Sequence, residues 1–205
     1  MGRVKLLLCA KVQYTYLAIL SNLLYPIPLK PHWLAKNSEL LSQCDQVSDQ
    51  LQDWLFDQSS LTARLKAHCQ QFQVEVVFEQ SISHAAINEI IPEQLIDQEY
   101  WQRQVLLYCD GKPWVFASTL IPQSTLHKGN GFLAALGDKP LGEALFNHRA
   151  VTRGEIEVAP FPEFEPSLSR EQVIWGRRSI FEISAWPLMV SEIFLPDCVA
   201  YVEFE

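Results

Sequence analysis

The chain has no CxxC pair, and its five cysteines, Cys9, Cys44, Cys69, Cys109 and Cys198, are odd in number. This fits reduced thiols in a cytoplasmic protein better than a disulfide framework. The five histidines never stand at a metal-ligand spacing such as HxxxH, so no zinc site is expected. No cofactor motif occurs. Positive charge is scarce: 16 Lys and Arg against 24 Asp and Glu give a formal net charge of -8, and the basic residues are scattered. Phosphate backbones need a basic surface, so broad nucleic-acid binding is excluded and any basic site must be local and internal.

A membrane-spanning run is also missing. The opening segment "MGRVKLLLCAKVQYTYLAILSNLLYP" has basic Arg3 and Lys5, but Lys11 interrupts its apolar run and no small-residue cleavage site follows. The piece from Val12 to Leu24 falls short of the roughly 20 residues that cross a bilayer. It reads as a peripheral helix, an interfacial segment with weak membrane association, or an extension outside the fold. Residues 1–40 are therefore set apart from one domain over 41–205. With 205 residues, 48% hydrophobic and 20% charged, the chain has enough apolar material for a single soluble core.

Along that domain, "DQVSDQLQDWLFDQ" carries Val47, Leu51, Trp54 and Leu55 at helical spacing, and "SSLTARLKAHC" repeats the pattern behind Ser59 or Ser60 as a cap. A strand begins near Gln73 in "QVEVVFEQ", and "PEQLIDQ" reads as one helical turn. In "YWQRQVLLYCDGKPWVFASTLIP", Asp110-Gly111 between two strand patterns predicts a two-residue hairpin, because such turns need positive φ. "GFLAALGDKPLGEALF" predicts a helix, a stop at Gly137 and a second helix begun by Pro140. The first turn of that second helix would leave the N–H groups of Leu141 and Gly142 without internal partners. "VTRGEIEVAP", "VIWGRRSIFEIS" and "PLMVSEIFLP" are further strands. Helices first, then about six strands without regular βα alternation, define an α+β class with an antiparallel sheet and helices on one side.

Two charges are out of place in this pattern. Side chains alternate across a strand, so Arg103 shares a face with Trp101, Val105, Leu107 and Cys109. Glu192 likewise shares a face with Leu188, Val190 and Phe194. A guanidinium is not neutralised at physiological pH, so a buried one must meet a carboxylate, carbonyls or an anionic ligand. Two arrangements satisfy both residues. They form a buried ion pair, or they stand at two ends of an apolar cavity, Arg103 receiving a substrate carboxylate and Glu192 a hydroxyl. Cys109, in the same alternation, reads as a small core residue.

The segments "DWLFDQSSLTARL", "YWQRQVLLYCDGKPW", "TLIPQSTL", "LGDKPLGEALF", "WGRRS" and "SEIFLP" occur in that order from about Asp53 to Pro196. In this the chain resembles the chorismate pyruvate-lyase family, which makes 4-hydroxybenzoate and pyruvate from chorismate for ubiquinone synthesis. The resemblance implies a sheet of about six antiparallel strands, helical flaps closing over a buried site, and activity with neither metal nor organic cofactor. It implies that Arg103 and Glu192 are the catalytic residues, that the Leu141 backbone N–H joins Arg103 in binding substrate, and that Leu61 of "SSLT" is a flap residue touching the ligand. It implies chorismate and 4-hydroxybenzoate as small-molecule partners of a cytoplasmic monomer subject to product inhibition. One departure stands out. Many members carry an arginine where "WVFASTLIP" has Ser118, which makes Arg177 or Arg178 of "WGRRS" a candidate substitute cation, only one of which can face the site. The alternative function is a non-catalytic effector-binding domain of the same fold.

Overall fold

The hairpin signal marks the centre of the sheet. Asp110 and Gly111 both take positive φ, 50° and 77°, and join strands β3 (Glu99–Cys109) and β4 (Lys112–Pro122) in antiparallel register. The Asp110 carboxylate also accepts the N–H groups of Gln70 and Gln71, which fixes the entry of β2 (Phe72–Ser83) beside the turn. The computed structural model describes residues 31, 33–39, 47–87, 91–146, 150–161 and 173–202. Expectations placed on the opening segment through Lys30, on Cys44 and on residues 162–172 lie outside them.

Three further long strands, β5 (Val151–Phe161), β6 (Ile174–Ile183) and β7 (Trp186–Phe194), complete the antiparallel sheet. A two-residue strand, β1 (Leu34–Ala35), adds an edge that the sequence pattern of about six strands does not contain, giving the order β1-β5-β6-β7-β4-β3-β2. Two residues are enough for β1 because its partners Val158 and Glu157 belong to a strand already fixed by β6.

Helices α1 (Asp49–Leu55) and α2 (Leu61–Ala67) have seven residues each and are capped by Ser48 and Ser60, whose hydroxyls accept the N–H groups of Leu51 and Ala63. Leu51, Trp54, Leu55, Leu61 and Leu65 are buried against Val105, Leu107, Val115 and Phe194, so both helices lie on one face of the sheet. Arg64 holds the pair together: it bonds Asp53 and Asp57 and stacks over the Trp54 ring. At the far end, Tyr201 donates to the Phe194 carbonyl and accepts from the Trp175 N–H, and so pins the chain's final described turn to the sheet. No helix among the described residues is long and apolar enough to cross a membrane.

The expected helix–stop–helix over 131–146 takes a looser form. Gly129 at φ 92° breaks the segment, Gly131–Ala135 winds only as a 3₁₀ helix, and α3 (Leu141–Phe146) starts one residue after Pro140. Gly137, at φ 58°, is the stop.

Strand pairing leaves one position with no room for a side chain. Gly176 faces Ile193 across β6 and β7, and a Cβ there would lie 2.7 Å from Phe161 Cε2 and 3.2 Å from the Glu192 carbonyl oxygen. Gly176→Ala is expected to destabilise the protein by about 1–3 kcal/mol, as overpacking does. Thermal unfolding checks this: Tm falls in the single variant and recovers in part when Phe161→Leu removes ring atoms at the contact.

Candidate active site

Cross-strand partners point to the same side of a sheet, so the register alone builds the floor of a site. One row across the sheet reads Glu79, Arg103, Thr119, Val190 and Ser179; the next reads Val105, Ala117, Glu192 and Arg177. Arg103 and Glu192 stand on this floor two strands and one row apart, roughly 12 Å between Cα atoms by standard strand spacings. Above it, Leu61 and Thr62 of α2 and Leu141, Gly142 and Leu145 of α3 form a ceiling. Between floor and ceiling lies a narrow cavity, partly open to solvent, in which the centre of a water-sized sphere can range over about 40 Å³.

The four residues singled out from the sequence, Leu61, Arg103, Leu141 and Glu192, all line this one cavity. Of the two arrangements left open for the odd charges, direct pairing does not occur. Arg103 donates to the carbonyls of Gly137 and Lys139 and lies 3.4 Å from Glu79, its cross-strand neighbour. Burial draws its pKa down while Glu79 and Asp138 support the charged form. Counting donors, the Nε N–H, which meets Glu79 as an ion pair without a hydrogen bond, and one Nη1 N–H are left without a hydrogen-bond acceptor among the described residues. Glu192 receives the Arg177 Nε at 2.6 Å on Oε2, with Arg153 Nη2 3.9 Å from the same oxygen; Oε1 takes no hydrogen bond from the described residues.

Arg177 has a different task from that of a substitute cation. It is 1% exposed, and beyond Glu192 its Nη1 donates to the carbonyls of Trp54 and Asp57 at 2.9 Å. These carbonyls belong to the end of α1 and the turn before α2, so Arg177 ties the base of the ceiling to the sheet. Asp57, in the same turn, is held below the usual carboxylate range: burial would raise it, but the hydroxyl and N–H of Ser59 and then Arg64 outweigh that. Arg178 points to the opposite face, bonded to Glu157 and stacked on Trp33. Ser118 is there too, for it sits between the cavity residues Ala117 and Thr119 and pairs with Ser191, the neighbour of Arg178. The serine in place of the family's arginine therefore does not face this cavity.

Arg153, unremarked in the sequence pattern, does line it. Strict alternation would group Arg153 with Glu155 and Glu157, opposite Ile156. A bulge between Arg153 and Ile156 adds one residue and returns both to the cavity side. The signal was Gly154, since a glycine inside a strand pattern often marks a bulge. Cys109 is fully buried and its thiol is pushed far up by that burial, which removes it as a nucleophile. No cluster of three or more metal-ligating side chains occurs among the described residues.

The ceiling is thin. Helix α2 meets α3 through an exposed ion pair, Lys66 with Glu143, and through close approach of Thr62 to Gly142. Beyond it an outer cleft, lined in part by Lys66, Tyr108 and Asp138, shares Val74 and Pro140 with the cavity.

A mostly apolar cavity, partly open to solvent, between an antiparallel sheet and two short helices, lined by Arg103, Arg153 and Glu192, marks the chain as an α+β domain with a candidate small-molecule site. The chain belongs to the chorismate lyase family, whose model matches residues 33–202. A probable chorismate pyruvate-lyase of Shewanella amazonensis is 43% identical over 160 residues, covering 74% of this chain and 82% of the relative. A chorismate pyruvate-lyase of Pectobacterium carotovorum is 35% identical over 149 residues, covering 73% and 78%. Among solved structures, the effector domain of PhnF from Mycobacterium smegmatis aligns over 68% of this chain and 90% of its own, with 13% identity and a TM-score of 0.47. Likeness at that level carries no argument about function.

A Cβ added at Gly142 would lie 2.9 Å from Thr62 Oγ1. Gly142→Ala is expected to push α2 away from α3 and speed amide exchange over Leu61–Ala67 by roughly 5- to 30-fold, the equivalent of 1–2 kcal/mol. Hydrogen exchange with mass-spectrometric readout checks this, and Thr62→Ala in the same chain should restore slow exchange.

Proposed function

We propose that this protein is a chorismate pyruvate-lyase, converting chorismate to 4-hydroxybenzoate and pyruvate at an early step of ubiquinone biosynthesis. The observation that carries the reading is one mostly apolar cavity lined by both Arg103 and Glu192, with Arg103 N–H groups and Glu192 Oε1 that take no hydrogen bond from the described residues. Membership in the family supports it.

The substrate is a cyclohexadiene with a ring carboxylate, an enolpyruvyl ether and, on the adjacent carbon, a hydroxyl. Cleaving the ether C–O bond and removing the hydrogen from the hydroxyl-bearing carbon leaves an aromatic ring and pyruvate. Aromatisation supplies the driving force, so positioning and exclusion of water are what the protein must provide. On this reading Arg103 and the Leu141 N–H hold the ring carboxylate, a charge-assisted contact that strengthens in a dry site. Glu192 Oε1 accepts the ring hydroxyl, and Leu61 packs on the ring from the flap. The migrating hydrogen passes either through Glu192 or directly to the methylene of the departing enolpyruvyl group. Neither route calls for a metal or an organic cofactor. Action as a monomer, a cytoplasmic setting in keeping with cysteines that form no CxxC pair, and weak membrane association of the first 40 residues belong to the same proposal.

Incubation with chorismate in the presence of a chelator is expected to yield 4-hydroxybenzoate and pyruvate in equal amounts, with both lost in Arg103→Ala. Binding without product would mean an effector-binding module instead. Glu192→Gln separates the two proton routes: near-normal turnover assigns Glu192 to anchoring, and a large loss of kcat assigns it to transfer. Because a flat product fits a closed cavity, release past the flap should limit turnover. Rapid mixing should then show a burst of 4-hydroxybenzoate in the first turnover, and a linear time course would place the slow step in the chemistry.

A further inference from the structure

Chorismate carries two carboxylates, and Arg103 with the Leu141 N–H accounts for one. On the proposed reading of the cavity, the place of the other follows from the ring. The enolpyruvyl ether and the hydroxyl are on neighbouring carbons, so a hydroxyl bonded to Glu192 brings the enolpyruvyl carboxylate to the immediate surroundings of that glutamate. The guanidinium of Arg153 is there, its Nη2 3.9 Å from Glu192 Oε2, with a side chain 9% exposed.

Two arginines reach Glu192, and they are unequally engaged. Arg177 makes bonds of 2.6, 2.9 and 2.9 Å and does not line the cavity. Arg153 lines it, and only its Nε is well bonded, to Ser179 Oγ at 3.0 Å. Its Nη1 contacts to the carbonyls of Asp57 and Ser59, at 3.3 and 3.5 Å, are at the long end of hydrogen bonding, and Nη2 makes no hydrogen bond with the described residues. The plane is steadied by the Phe181 ring, 5.1 Å away. Two guanidiniums against one carboxylate leave a positive charge in excess. Burial, then Arg177, draw the Arg153 pKa down to about 10 against the pull of Glu192 and Asp57, so it is still a cation at neutral pH.

We propose that Arg153 receives the enolpyruvyl carboxylate of chorismate, with Ser179 and Phe181 fixing the guanidinium so that its Nη edge faces the ligand. When the ether bond breaks, its electron pair passes to the ether oxygen, and the departing enolpyruvate stays beside Arg153 until it takes up the hydrogen lost from the ring carbon and becomes pyruvate. Arg153 thus distinguishes the doubly charged substrate from the singly charged aromatic product, whereas Arg103 serves both.

The test compares the two ligands in the same variants. Arg153→Gln should lower kcat/KM for chorismate on the order of 100-fold, the loss of a charge-assisted contact, while the inhibition constant of 4-hydroxybenzoate moves by less than about 3-fold. Arg103→Gln should weaken both ligands. If Arg153→Gln does not fold, Arg153→Lys carries the same comparison, keeping the charge but losing the fork, and should again impair chorismate selectively. A wild type that converts chorismate while the Arg153 variants weaken both ligands alike, or neither, overturns this assignment alone. A wild type that neither binds nor converts chorismate overturns the reading of the site, and this assignment with it.

Discussion

The structure around the cavity depends on one buried guanidinium. Arg177 has almost no contact with solvent, and taking such a group out of water is costly unless each donor finds an acceptor. It is met by the Glu192 carboxylate on one side and by carbonyls of the α1–α2 region on the other. Those carbonyls sit at a helix end, where orphan acceptors carry the negative end of the helix dipole. A single side chain therefore satisfies two unrelated needs: it orients the Glu192 carboxylate and it anchors the end of α1 and the turn leading into α2, one of the two helices that cover the cavity. Removing either partner would strand a charge in a dry place, which is why the floor and the base of the ceiling behave as one unit.

The strength of that anchor contrasts with the weakness of the opposite edge. The base rests on buried, charge-assisted bonds. The far side of α2 is held to α3 by a solvent-exposed ion pair, generally contributing less than about 1 kcal/mol, and by the Thr62–Gly142 contact. Separation at that edge costs little, while separation at the base costs several such contacts at once. Opening is thus expected where the outer cleft already meets the cavity, at Val74 and Pro140. The chain as a whole is acidic, with a net charge of -8, yet its cavity floor is cationic. Such a site attracts anions only at short range, since surface charge is screened within a Debye length of about 8 Å at physiological salt.

Much of this was legible in the sequence because period-two arguments are reliable over uninterrupted strands. Arg103 on β3 and Glu192 on β7 lie in stretches where the register with β4 runs without a shift, so parity placed both on the cavity face. The Asp110-Gly111 turn and the Ser60 cap were readable for a similar reason: each depends on local chemistry alone. What parity could not reveal was which partner each charge would choose. Arg103 finds Glu79 because β2 pairs beside β3, and Glu192 finds Arg177 because β6 pairs beside β7, and both facts belong to topology. The 131–135 segment was misjudged as a regular helix because its apolar spacing fits one, while Gly129 breaks the segment just before it. The two-residue strand β1 is too short to have any period at all.

The bulge in β5 has a wider meaning. It acts as a phase shifter: one additional residue separates Arg153 from Ile156, yet both keep the cavity face. Loss of a single codon at Gly154 or Glu155 would remove the bulge and leave Arg153 two residues from Ile156, so that plain alternation keeps both on the cavity face. What the additional residue supplies is therefore not the face of Arg153 but the local bend and added twist of the strand where that arginine leaves the cavity floor.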